Sequence, residues 1–150
     1  MRALIQRVGH ASVSVESEVT GSCGRGLLIL LGVGEGDTDA EAERLWRKAS
    51  GLRIFDDAGD KTNLSLADVG GEVLVVSQFT LYANCRRGRR PSFTEAAAPE
   101  LGRELYERFC ELAEADLGAE HVGRGVFGAH MQVELVNDGP FTIWLDTTEL

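Results

Sequence analysis

The sequence predicts a mixed α/β fold in one domain, residues 1–150, with antiparallel-rich sheets forming a pseudobarrel around one core and two main helices. Three observations predict it. Segments 2–8 and 11–16, "RALIQRV" and "ASVSVE", alternate apolar and polar residues in period two. The run 27–31, "LLILL", is unbroken and bounded by glycines, as in a strand covered on both faces. Two further stretches, opening at Thr38 and at Pro99, repeat apolar residues at helical spacing. A chain of 150 residues, 43% apolar and 26% charged, has the size and composition of one globular domain and buries roughly two-thirds of its unfolded surface.

Taken in order, Gly9-His10 separates the first two strands and predicts a hairpin-like start. The first helix begins with a capping box, Thr38 to Glu41, whose hydroxyl and carboxylate each satisfy an exposed amide of the other's backbone. Ala42, Leu45, Trp46, Ala49 and Leu52 form its apolar stripe. The next strand is read over 72–82. Pro99 fits the first turn of the second helix, where a missing amide is harmless, and Leu101, Leu105, Phe109 and Leu112 supply its buried face. Two last strands, around "MQVELV" and "FTIWLD", are joined by "NDGP", a tight-turn signal. The total is about seven strands and two helices, and so short a chain with two sheet faces to cover suggests a homodimer.

Several function classes are disfavoured. "MRALIQRVGH" holds no continuous apolar segment and no run reaches membrane-spanning length, so the expectation is a cytoplasmic protein without a membrane partner. Cys23, Cys85 and Cys110 are odd in number and widely spaced, which fits free thiols rather than disulfides or zinc ligation. His10, His121 and His130 are scattered. Asp56, Asp57 and Asp60 lack calcium-loop spacing, and the glycines at 32, 34 and 36 lack a phosphate-loop register. No metal and no cofactor is expected.

The chemistry concentrates in "LVVSQFTLYANCRRGRRPSF", residues 74–93. Both alternating faces of this strand are apolar until Ser77, so it surfaces at its C-terminal end, where Ser77, Gln78, Phe79 and Thr80 and nearby amides line a pocket suited to an oxyanion. The plainer reading is that Gln78 and Thr80 only satisfy backbone groups at a strand terminus. Arg86, Arg87, Arg89 and Arg90 follow at once in a chain of net charge −9. Such a cluster holds phosphates locally, or else neutralises neighbouring glutamates.

"SQFTL" at 77–81, "GRRPSF" at 88–93, "FGAHM" at 127–131 and "NDGPFT" at 137–142, with "MRALIQRV" at the N-terminus, resemble the D-aminoacyl-tRNA deacylases over essentially the whole chain. The resemblance implies a homodimeric cytoplasmic hydrolase. Its reaction is cleavage of the ester between a D-amino acid, or glycine, and the terminal ribose of tRNA. On this reading the arginine loop guides phosphates of the tRNA 3′ end, and the strand-end pocket takes the aminoacyl group. Gly139-Pro140 matches a cis dipeptide inserted into the partner's pocket, where main-chain oxygens reject an L side chain. Arg7 matches the arginine that braces this motif, and Asn137 the residue that opens it. Phe127 and Met131 match pocket-lining positions.

The family route is substrate-assisted, with the ribose 2′-hydroxyl helping to activate water, whereas Thr80 as nucleophile has no base near it in sequence. The chain departs from the family pattern at Phe141, where valine is commonest, at His130, where aspartate is usual, and in its arginine-rich loop. Related modules acting on L-alanyl esters carry Pro-Gln-Ala-Thr, so Ser77 and Phe79 place this chain on the D-specific side. The competing classes are a non-catalytic module that binds tRNA ends and a hydrolase of another small ester.

Overall fold

The computed structural model describes residues 1–150. Strand β1, Arg2–Val15, is continuous, and the chain does not reverse at Gly9-His10 as a hairpin would require. The residues there form irregularities in its pairing with the last strand, so the strand bends where the sequence suggested a turn. The reversal comes at Glu16 and Ser17, with φ of 50° and 70°, and leads into β2, Glu18–Cys23. Then follow β3 (Gly26–Gly32), α1 (Asp39–Ser50), the short pair β4 (Phe55–Asp56) and β5 (Thr62–Leu64), and β6 (Glu72–Ser77). Helix α2 (Pro99–Leu117), β7 (Val122–Arg124) and β8 (Gln132–Asp146) complete the chain.

The main sheet runs β2-β1-β3-β6-β7, with β8 on the other side of β1. β1 pairs antiparallel with β2, β3 and β8, whereas β3-β6 and β6-β7 are parallel. The sheet is therefore mixed and antiparallel-rich, and it curls until β2 lies against β7. Glycine makes that closure possible: a Cβ on Gly21 would sit 2.2 Å from the Arg124 carbonyl oxygen, and one on Gly123 2.3 Å from that of Ser22.

Two apolar layers replace the single core expected. On the helix side, Leu27, Ile29 and Leu31 of β3 and Val73 and Val75 of β6 join Leu45, Trp46, Leu105 and Phe109. Inside the curl, Leu28, Leu74 and Val76 meet Val8, Val13 and Cys23. The alternation along β3 and β6 thus buries both faces, as their unbroken apolar runs predicted. Each such Leu, Val or Phe contributes about 1.5–3 kcal/mol by leaving water.

Both helix starts match the sequence. The Glu41 carboxylate accepts from the Thr38 amide at 2.8 Å while the Thr38 hydroxyl accepts from the Ala40 amide at 3.3 Å, and Pro99 lies in the first turn of α2. The helices meet through Trp46 and Phe109, edge to face at 5.6 Å, and the Trp46 indole donates to Asp116 at 2.6 Å.

Two expectations about the end of the sheet are corrected, and both corrections shape the candidate site. β6 stops at Ser77, not at Tyr82. The Gln78 amide donates to the Leu31 carbonyl at 2.7 Å, and residues Phe79–Tyr82 then wind into a 3-10 turn, so strand alternation does not govern Gln78 and Thr80. "NDGP" is not a turn between two strands. Val8 pairs with Asn137 and Gln6 with Thr142, so residues 138–141 bulge out opposite the single residue Arg7.

Candidate active site

At the end of β6 the chain opens a cavity of about 570 Å³, within the range of small-molecule sites. Ser77, Gln78 and Phe79 form one wall, Phe127 and Met131 another, and Gly102 of α2 a third. His130 is the only ionisable side chain on the lining, and no carboxylate reaches it. As the first residues of the 3-10 turn, Phe79 and Thr80 have amides without a partner inside the turn. Thr80 is not on the lining, and its hydroxyl oxygen accepts a hydrogen bond from the Gln78 side-chain amide.

The walls are fixed from behind. The Tyr106 hydroxyl, 3.0 Å from the Val75 carbonyl and 3.3 Å from that of Gly125, ties β6 to the segment entering the Phe127–Met131 loop. Burial pushes its pKa far up, so it remains a donor. Burial likewise raises the Cys23 thiol to about 11 and Cys110 to about 12, which leaves both protonated and inert. The Met131 sulfur accepts from the Val126 amide at 3.4 Å. Phe79 and Phe93 pack edge to face at 5.1 Å on the cavity's outer side.

Phe93 also ends the arginine loop. Asn84 and Ser92 exchange backbone hydrogen bonds of 2.7 and 3.0 Å, which pinch the loop at its base, and Gly88 takes φ of +67° at its tip. Arg86, Arg87, Arg89 and Arg90 are all exposed. None is in an ion pair; the paired arginines are Arg2, Arg7, Arg108 and Arg124. The loop therefore does not neutralise glutamates of its own chain.

Gly139, Pro140, Arg7 and Asn137 form a separate group, away from the cavity lining. The Gly139-Pro140 peptide is cis, and both residues are exposed at the crest of the β8 bulge. Arg7 is buried beneath them. Its Nε donates to the Asp138 carbonyl at 3.0 Å and its Nη1 to the Ile54 carbonyl at 2.6 Å. The Asp138 carboxylate lies 3.2 Å from Arg7 and that of Asp56 3.7 Å away. The Phe141 ring lies 4.3 Å from the guanidinium. Asn137 closes the base of the bulge by donating to the carbonyls of Arg7 (2.9 Å) and Phe141 (3.0 Å).

The α2 side of the cavity escaped sequence reasoning. A Cβ on Gly102 would stand 3.3 Å from the Phe127 ring, so the glycine is what lets that ring settle against the helix. The one signal was a glycine inside an otherwise regular apolar stripe, next to Leu101.

Comparison with known proteins places this architecture. The family model described as D-Tyr-tRNA(Tyr) deacylase matches residues 4–146. A D-aminoacyl-tRNA deacylase of Thermotoga petrophila is 58% identical, over 100% of this chain and 99% of its own length. One of Roseiflexus castenholzii is 61% identical, over 98% of this chain and 92% of its own. Among solved structures, one named "c-Myc DNA Unwinding Element Binding Protein" superposes with a TM-score of 0.92 at 41% identity, covering 97% of this chain and 98% of its own. A probable eukaryotic D-amino acid tRNA deacylase shares the fold, with a TM-score of 0.81 at 20% identity over 96% of this chain and 97% of its own.

By class, then, the chain is an ester hydrolase of aminoacyl-tRNA. More narrowly, it belongs to the D-Tyr-tRNA(Tyr) deacylase family, as its motifs indicated.

Proposed function

We propose that this protein hydrolyses the ester joining a D-amino acid, or glycine, to the terminal ribose of tRNA, as a chiral proofreading step in the cytoplasm. One observation carries the reading: a largely apolar cavity with no carboxylate on its lining opens where β6 ends in a 3-10 turn, and one of its lining residues, Phe93, ends a loop of four exposed, unpaired arginines. The arginines take phosphates of the 3′ end and the cavity takes the aminoacyl group. Water attacks the ester carbonyl, with the neighbouring 2′-hydroxyl helping to activate it. The resulting oxyanion is met by the amides of Phe79 and Thr80, and collapse of the intermediate breaks the ester bond and expels the ribose oxygen, which takes up the proton given up by the water. Thr80 positions rather than attacks. Its oxygen already accepts from Gln78, and the cavity offers it no carboxylate base.

Handedness is judged by main chain. The Gly139-Pro140 bulge is exposed and outside its own chain's cavity, and β8 pairs only with β1, which leaves its outer edge free. Val136 and Trp144 are exposed on that strand. We infer a homodimer in which each bulge enters the partner's cavity. There its carbonyl oxygens leave room at the substrate's α-carbon for hydrogen or a D side chain and collide with an L side chain. A wall of mobile side chains yields for about 1–3 kcal/mol, so main chain held by a buried arginine rejects more sharply.

The purified protein, incubated with D-tyrosyl-, glycyl- and L-tyrosyl-tRNA, is expected to release the first two amino acids and spare the third. Binding without turnover would favour a non-catalytic tRNA-end module, and equal loss of D and L esters would remove the chiral reading.

A further inference from the structure

Arg103 lies outside both the cavity lining and the arginine loop. It is exposed on the first turns of α2, next to Gly102, and its guanidinium lies 4.9 Å from the centre of the Phe127 ring. Helical spacing offers it Glu107 at i+4 and Glu100 at i−3. Glu107 is already taken: Arg124 Nη1 lies 2.5 Å from it, while Arg124 Nη2 reaches Glu114 at 2.7 Å. Arg103 forms no ion pair with Glu100 either, and is the α2 cation left free, since Arg108 pairs with Glu43 and Asp39.

Its position gives that free charge a use. Phe127, which Arg103 covers, and Phe93, which ends the arginine loop, line the same cavity. Two lining aromatics thus connect to unpaired cations, Phe127 through the Arg103 stacked on it and Phe93 through the loop it ends, in a chain whose net charge of −9 repels a polyanion elsewhere. An arginine stacked on an aromatic face is held in orientation with its fork of N–H donors available to a phosphate. Resting on the reading that an RNA 3′ end enters this cavity, we propose that Arg103 is a further phosphate-binding residue for that end, acting from α2 in addition to the arginine loop. The alternative is that its stem and guanidinium only shield Phe127 from water.

The two are separated by fluorescence anisotropy with a short labelled single-stranded RNA of tRNA acceptor-end sequence, unacylated, over a salt series. R103A and R103M are expected to weaken binding about five- to tenfold and to flatten the plot of log K against log salt by about 0.7, the increment of one phosphate contact on a single strand. R103K keeps most of the slope. In turnover, the R103A loss appears in KM and is larger for D-tyrosyl-tRNA than for D-tyrosyl-adenosine, which has no phosphate. Wild-type affinity and slope in R103M, whose side chain still covers the ring, would overturn the assignment. So would a wild-type protein that does not bind the RNA, or equal losses on the two esters. If the wild type binds RNA with the expected Arg103 dependence but cleaves no D-ester, deacylation fails and the phosphate assignment stands.

Discussion

The cavity at the end of β6 and the bulge on β8 are opposite answers to the interruption of a strand. The cavity is concave, walled by Ser77, Gln78, Phe79, Phe127 and Met131, and its only ionisable side chain is His130. The bulge is convex, exposed at Gly139 and Pro140, and rests on a buried arginine with two carboxylates near it. One is a receptacle of mostly apolar surface at the end of a strand; the other is a projection held by charge and hydrogen bonds. They lie apart within a protomer, and on the proposed function the first holds the ester while the second judges its configuration. Damage to either region should therefore fail in its own way.

The largest expected effect is from Arg7→Ala. It strips donors from the carbonyls of Ile54 and Asp138 and the counter-charge from two acids. Urea unfolding should show a loss of about 2–4 kcal/mol. The D-to-L ratio of tyrosyl-tRNA hydrolysis should fall by about a hundredfold, to what a yielding wall gives. Gly139→Ala tests the bulge more gently: the new Cβ would lie 3.0 Å from Asn137 Oδ1, the side chain that closes its base. The expected outcome is a roughly tenfold fall in the same ratio, with D-ester turnover little changed.

Thr80→Ala probes the cavity's chemistry. Activity should stay within about tenfold of wild type, whereas loss of a covalent nucleophile removes about 10⁴-fold or more and a trapped acyl-threonine would accompany it in the native enzyme.

The smallest effect lies outside both regions. Asp146 is buried, which alone would raise its pKa, but bonds from Thr148 and Arg2 outweigh burial and hold it below the usual 3.8. A folded-state pKa below the unfolded one contributes stability that is complete above the unfolded value and is lost as pH falls through the folded one. The urea-unfolding free energy of the wild type should therefore drop more between roughly pH 5 and 3 than that of Asp146→Asn, by under about 1 kcal/mol, without altering chiral selectivity.

Much of the helical frame was legible because its signals are local. Thr38 and Glu41 sit one turn apart, Pro99 is tolerated only at a helix start, and an unbroken run such as Leu27–Leu31 has few explanations but burial on both faces. The motif resemblance likewise led to the family that the comparisons show. What remained hidden depends on partners distant in sequence. Gly9-His10 and "NDGP" carry turn-forming residues, and the same residues serve a bulge; only the mutual pairing of β1 and β8 over their whole length decides between reversal and bend. β2 was missed because "EVTGSC" has little apolar pattern, its residues being mostly exposed. The end of β6 was misjudged because Phe79, Leu81 and Tyr82 suit a strand as well as a 3-10 turn. Gly102 acquires meaning only once Phe127 lies against it.

The central claim is that one protomer's bulge completes the other's cavity, and mixing tests it directly. A protomer with an obstructed cavity, Gly102→Trp, and one with a released bulge, Arg7→Ala, are to be unfolded together in equal amounts, refolded, and assayed on D- and L-tyrosyl-tRNA. Random pairing across a twofold axis gives about a quarter of all sites an intact cavity facing an intact bulge, so D-specific turnover should return in the mixture when neither variant alone shows it. If the mixture merely averages the two separate preparations, with no recovery of selectivity for the D ester, cavity and bulge do not meet across the dimer and the account is wrong.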